Sequence, residues 1–126
     1  MLQTLIFHQE KVSDRALDQL QANLPVIIAD VLRVPGGNLA LLESGQISLH
    51  FIEASRRDVG KNIHVLIYAG LNEPRQADRT DRAKKIRQEI VALIGDEYTV
   101  DVRLYLQYIG AGEEIIVRQA EPETEE

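Results

Sequence analysis

Three cations crowd one short stretch of this sequence: Arg56, Arg57 and Lys61 fall within six residues, in a run that also holds Ser55, Asp58 and Gly60. In a polar, glycine-bearing turn such a cluster can hold a small carboxylate, arginine through its planar fork and lysine as a point charge. A solvated turn would use the same residues with no ligand at all. His8, His50 and His64 lie in three separate apolar segments. A three-histidine zinc site would need all three on one sheet face and at one height, which strand parity does not demand. Core or interface histidines are the plainer expectation, and neither a metal nor any other cofactor is expected. Gly36-Gly37 follows a helical pattern and Gly110-Ala111-Gly112 opens no helix, so neither reads as a phosphate-cradling loop. The chain has no cysteine, which removes disulfides and thiolate chemistry, and spacing yields no Ser-His-Asp grouping.

The elements that must position these residues repeat one plan. Residues 2–8 read as a strand rich in branched and aromatic types. Ser13-Asp14 then signals a helix N-terminus, and Leu17, Leu20, Leu24, Ile27, Ile28, Val31 and Leu32 share one helical face. Pro25 interrupts the hydrogen-bond ladder without changing that phase, so the pattern predicts one helix kinked near Pro25. Pro35-Gly36-Gly37-Asn38 ends it, a short apolar stretch spans 39–42, and residues 47–54 form a second strand. A strand at 63–69 restarts the plan, with Ile63, Val65 and Ile67 on one face and His64, Leu66 and Tyr68 on the other. Residues 70–77 read as a loop, with Asp78 or Thr80 capping a helix that carries Ala83, Ile86, Ile90, Leu93 and Ile94 inward and stops at Gly95. A strand at 99–107 alternates Val100, Val102, Leu104 and Leu106 inward with Asp101, Arg103 and Tyr105 outward, and 115–117 can add a short edge strand.

The predicted fold class is therefore α+β: two β-α-β repeats, residues 1–61 and 62–118, forming a four-stranded mixed sheet covered on one face by two helices. Strands within a half should be parallel, joined by right-handed crossovers. A ferredoxin-like split arrangement has the same element order, and the sequence does not separate the two cleanly. With 126 residues, 44% of them hydrophobic, one domain with one core is the default. No apolar run approaches the roughly 20 residues that span a bilayer, and no secretory signal is visible, so the expected setting is cytoplasmic, without membrane contact. The net charge of −6 argues against nucleic acid as a partner. Part of that charge sits in residues 119–126, read as a disordered acidic tail because its glutamates offer nothing to bury.

Three segments resemble the tautomerase superfamily of small 4-oxalocrotonate tautomerase-like subunits. The first is the opening strand leading through Lys11-Val12-Ser13-Asp14 into a helix; the second runs from Ser48-Leu49-His50-Phe51-Ile52-Glu53 through the turn to Gly60. The third is Val102-Arg103-Leu104-Tyr105-Leu106-Gln107 before Gly110-Ala111-Gly112. The resemblance implies a duplicated β-α-β subunit that assembles as a homotrimer, with sites between neighbouring subunits that take a small anionic molecule. It also implies isomerase chemistry on a small keto or enol carboxylate, carried out by an N-terminal proline amine. Position 2 here is Leu2, so the corresponding amine belongs to Met1, a primary amine with a reference pKa of about 7.7–8.0 that can serve as base or form a Schiff base. By the same resemblance Leu2 and Lys11 fall at substrate-binding positions, Lys11 standing where the family has an arginine. Leu49 and Val59 replace the family's strand arginine and turn aromatic, which leaves Arg56, Arg57 and Lys61 as the cations on hand. An isomerase using Met1 and a non-catalytic trimer that binds an anion or a protein partner both fit.

Overall fold

The computed structural model describes residues 2–33, 44–71 and 73–108. Strand β1 (Leu2–His8) leads into helix α1 (Asp14–Leu32), and a single 3-10 turn at Ser44–Gln46 precedes strand β2 (Ile47–Glu53). Strand β3 (Ile63–Gly70) is followed by a short helix α2 (Glu73–Ala77), the longer helix α3 (Arg79–Ile94) and strand β4 (Val100–Gln107). The four strands form one sheet in the order β2-β1-β3-β4. β1 pairs parallel to β2 and β3 parallel to β4, while the central pair β1–β3 is antiparallel. Each half is thus a β-α-β unit with its helix crossing between its own two strands, and the halves meet through the middle pair. This is the α+β duplication that the periodicity predicts.

Helix α1 starts where Ser13 Oγ accepts a hydrogen bond from the Ala16 amide at 3.1 Å, so one of the orphan donors of the first turn is satisfied. Ala16, Leu20, Leu24, Ile28 and Leu32 form a buried stripe at the four-residue spacing of one helical face. The predicted Leu17, Ile27 and Val31 flank that stripe and pack against the core half-buried. Pro25 lies inside one continuous helix, as the hydrophobic phase requires. In α3 the burial falls on Ile86 and Ile90, and Gly95 ends the helix at φ +91°, a conformation that costs glycine little, with its amide bonded to the Val91 carbonyl at 2.8 Å. Asp78 takes the N-cap position, but its carboxylate pairs with Arg82 instead of capping an amide.

One expectation is corrected here. The predicted loop over 70–77 contains α2, whose Pro74 sits in the first turn, where the missing N–H costs nothing. This turn of helix carries Arg75 into the interior, and Arg75 Nε donates to the Leu32 carbonyl at 3.0 Å. Arg82 Nη1 donates to the Val31 carbonyl at 2.8 Å. Helix α1 has no basic residue in its own last turn, so two arginines from the second half occupy the negative end of its dipole.

Both long helices lie on the sheet face that carries Leu2, Thr4, Ile6, Ile63, Val65 and Ile67, and the core forms between them. The opposite face holds Gln3, Leu5 and Phe7 of β1, His64, Leu66 and Tyr68 of β3, and their neighbours on the outer strands. No described helix covers that face, and none is long and apolar enough to cross a membrane. β3 is largely apolar on both sides, His64 and the Tyr68 hydroxyl excepted, because it is a central strand, fully buried towards the helices and half-buried on the other face. The predicted apolar stretch at 39–42, the edge strand at 115–117 and the acidic tail lie outside the described residues.

Candidate functional site

Parallel pairing of β1 and β2 sends both strands out of the sheet at the same end, and the two exit segments are tied there. The Ala54 amide donates to the His8 carbonyl at 2.8 Å, extending the ladder by one bond. A cavity of about 420 Å³ opens between the segments, lined by Lys11 on one side and Ser55 and Arg56 on the other, with Glu10, Glu53 and Asp58. Lys11 and Arg56, 45 positions apart in the sequence, are brought together by the sheet topology alone. The carboxylate of Asp58 is committed to the turn, where Oδ2 accepts from the Ser55 amide at 2.7 Å. Arg57 donates its backbone amide to Ser55 Oγ and does not line this cavity.

A second cleft of about 380 Å³ shares Gln9, Ala54 and Asp58 with the first and lies between residues 54–62 and the uncovered sheet face. Phe7 and Leu66 line it from the sheet and Val59, 99% exposed, from the turn, with the side chains of Lys61 and His64 beside Asp58. Asn62, between Lys61 and the start of β3, exchanges two hydrogen bonds with Thr99 and bonds Gln9 through both its side chain and its carbonyl.

The four predicted cations therefore divide between two adjoining clefts, Lys11 and Arg56 in one and Lys61 in the other, with Arg57 outside both. Leu2 does not join them. It is 2% exposed, packed in the core against the start of β2, and β1 carries it about 20 Å from the exit turn that holds Lys11. Met1 lies outside the described residues. The histidines do not converge either. His8 belongs to the helix-covered face and is buried at 7% exposure, its Nδ1 without a hydrogen-bond partner among the described residues, whereas His50 and His64 belong to the open face. Among the described residues no group of three or more potential metal ligands is assembled.

One pair was not singled out by sequence reasoning. His64 and Asp101 are register partners on β3 and β4, and His64 Nε2 stands 3.4 Å from Asp101 Oδ2. The same oxygen accepts from Arg103 Nε at 3.0 Å. The alternation pattern placed all three on outward faces; only the strand register puts the first two side by side.

No family model matches the sequence, and no curated protein sequence does. Solved structures do match. A wild-type fused 4-OT protein, described as an asymmetric trimer, superposes with a TM-score of 0.63 at 9% identity over 94% of this chain and 99% of its own. The fold is that of the tautomerase superfamily. A macrophage migration inhibitory factor-like protein from Entamoeba histolytica shares the tautomerase fold with a TM-score of 0.56 at 8% identity, over 85% of this chain and 89% of that one. A member of the cis-3-chloroacrylic acid dehalogenase family reaches 0.60 at 11% identity, over 90% of this chain and 82% of its own. At such identities the likeness is one of tautomerase architecture, and chemistry has to be argued from the residues present.

Proposed function

We propose that this protein is a tautomerase-type homotrimer that binds a small keto or enol carboxylate and interconverts its isomers. The observation that carries the reading is the meeting of Lys11 and Arg56 in one cavity at the shared exit of two parallel strands. An arginine fork and a lysine charge across a small cleft suit a carboxylate, and no ion pair to either cation is present among the described residues. Assembly is supported by the uncovered sheet face, where Leu5, Phe7 and Leu66 run across β1 and β3 beside Ile52, 39% exposed on β2. It is supported also by the fused 4-OT relatives, which are described as trimers.

Catalysis by the Met1 amine needs a neighbouring subunit in this arrangement, because Leu2, the residue next to it, lies at the far end of β1 from Lys11 and Arg56. That separation favours a second reading, in which the trimer binds the anion without converting it. Thermal unfolding over a panel of small carboxylates separates ligand binding from its absence. Stabilisation by oxalate or an α-keto acid, lost in the Lys11→Ala, Arg56→Ala double variant, is the expected result; no shift with any carboxylate removes both readings. Sedimentation should give three times the 14.2 kDa chain mass. Ketonisation abolished by blocking the α-amine then supports the isomerase, and binding without turnover supports the second reading.

A further inference from the structure

The cavity at the shared exit of β1 and β2 holds charges of both signs, and most of them are left without a partner. Lys11 and Glu10 come from the segment after β1, Glu53 from the end of β2 and Arg56 from the turn beyond it. No ion pair or side-chain hydrogen bond engages any of these four among the described residues. Opposite charges elsewhere on the surface do pair, Lys85 with Glu89 at 3.2 Å and Arg33 with Asp30 at 3.7 Å. The fifth charged group of the cavity, Asp58, is taken up by the Ser55 amide.

Both walls are closed turns. The Val12 amide donates to the Gln9 carbonyl at 3.0 Å around Glu10 and Lys11, and the Asp58 amide donates to the Ser55 carbonyl at 3.0 Å around Arg56 and Arg57. The bond from the Ala54 amide to the His8 carbonyl ties the two turns together at their base. The backbones that carry the four charges are thus fixed, and the space of about 420 Å³ between them is in the range of small-molecule sites. Charge balance then decides what fits. With Asp58 the cavity has two cations and three carboxylates, so a plain carboxylate gains from Lys11 and Arg56 but is repelled by Glu10 and Glu53. A ligand with a carboxylate and an ammonium satisfies both signs at once.

We propose that the ligand of this cavity is a zwitterionic amino carboxylate, its carboxylate held by Lys11 and Arg56 and its ammonium by Glu10 and Glu53. The proposal rests on the reading above for the carboxylate half and adds the cationic half, with the two glutamates as the residues that select it. The planar fork of Arg56 suits a carboxylate, and an ammonium has three donors, enough to reach an oxygen on each glutamate. Each wall contributes one group of each sign, so the ligand bridges the two turns through both of its ends. Binding makes and breaks no covalent bond.

The test is a titration of the full-length chain followed by amide NMR, with probes matched in length. L-alanine, β-alanine and 4-aminobutanoate space the two charges differently; propanoate and butanoate lack the amine, and propylamine lacks the carboxylate. At least one amino carboxylate should bind about fivefold more tightly than its amine-free counterpart, the measure of one partly exposed ion pair. Its shifts should centre on the amides of Lys11, Ser55 and Arg56. The Glu10→Gln, Glu53→Gln double variant changes charge and not shape at two exposed positions, so it should keep the wild-type spectrum elsewhere. It should lose the preference for the amine while binding propanoate and butanoate at least as well as wild type. The Lys11→Ala, Arg56→Ala double variant should bind neither kind of acid. Plain carboxylates that bind as tightly as the amino carboxylates, and are lost in that second variant, overturn this proposal and leave the reading above standing. A preference for the amine undiminished in the glutamine variant overturns it as well, since the ammonium is then held elsewhere. Absence of binding by every acid overturns both.

Discussion

Asn62 and Thr99 exchange a reciprocal pair of hydrogen bonds, the Asn62 amide to Thr99 Oγ1 and the Thr99 amide to Asn62 Oδ1, both at 2.9 Å. The Asn62 side-chain nitrogen also donates to Gln9 Oε1 at 2.7 Å, and its carbonyl accepts from the Gln9 amide at 2.9 Å. One asparagine thus joins the exit of β1 to the starts of β3 and β4, at the end of the sheet where both clefts open. Asn62→Ala leaves the Thr99 amide and Gln9 Oε1 without their Asn62 partners. The expected cost is about 1–3 kcal/mol in chemical denaturation. A cost within experimental error would mean that the ladder alone sets this end of the sheet.

The end of α1 makes a second prediction. Arg75 is 8% exposed and donates to the carbonyls of Leu32 at 3.0 Å and Gly70 at 3.4 Å. Burial, and then the nearby charge of Arg82, lowers its pKa from the ordinary arginine value. A base whose folded pKa is depressed binds fewer protons folded than unfolded only in the alkaline range around those two values. Stability from this group would rise with pH there, and between about pH 5 and 9 both states are fully protonated, so its contribution is flat. Arg75→Met should destabilise by about 1–3 kcal/mol, since the stranded carbonyls outweigh the relief of a buried charge. The loss should be equal at pH 6 and pH 8.5. An Arg75→Met variant more stable than wild type would show that desolvation dominates.

Much of this was readable beforehand, and the exceptions share a cause. Strand β1, the Ser13 cap of α1, the Gly95 stop of α3 and the in–out parity of β3 and β4 follow from local periodicity and caps, which act over a few residues. α2 escapes such a reading because a five-residue helix has no period to show, and its one buried side chain is an arginine. His64 and Asp101 each fall on the correct face by alternation, yet their pairing depends on the β3–β4 register, which no single strand encodes. Leu2 stands at a substrate position by resemblance alone; its place in the alternation, in step with Thr4 and Ile6, already points to the core.

Thr4 offers a prediction of opposite sign. It is fully buried on the helix-covered face, and its Oγ1 has no hydrogen-bond partner among the described residues. Burying a hydroxyl without a bond costs on the order of 1–3 kcal/mol. Thr4→Val keeps the branched shape that suits a strand and removes the polar atom. Thermal unfolding should therefore show a stabilised variant, by about 1 kcal/mol or more. A destabilised variant would place a bonded water or a hidden partner at that oxygen.

The uncovered sheet face gives the last prediction, on assembly. Leu5 lies at its centre, in register between His50 on β2 and Leu66 on β3, and alternates away from the helix-covered core. A carboxylate placed there stays hydrated in a single chain, because no described element packs over it. Buried against a second copy, it would be an unpaired charge in an apolar contact, a loss of several kcal/mol that association cannot absorb. Leu5→Glu should therefore keep the circular dichroism spectrum of wild type while sedimenting as a single chain. Retention of the wild-type mass would rule out this face as the contact and shift assembly to the edges, β2 and β4 being the outer strands of the described sheet.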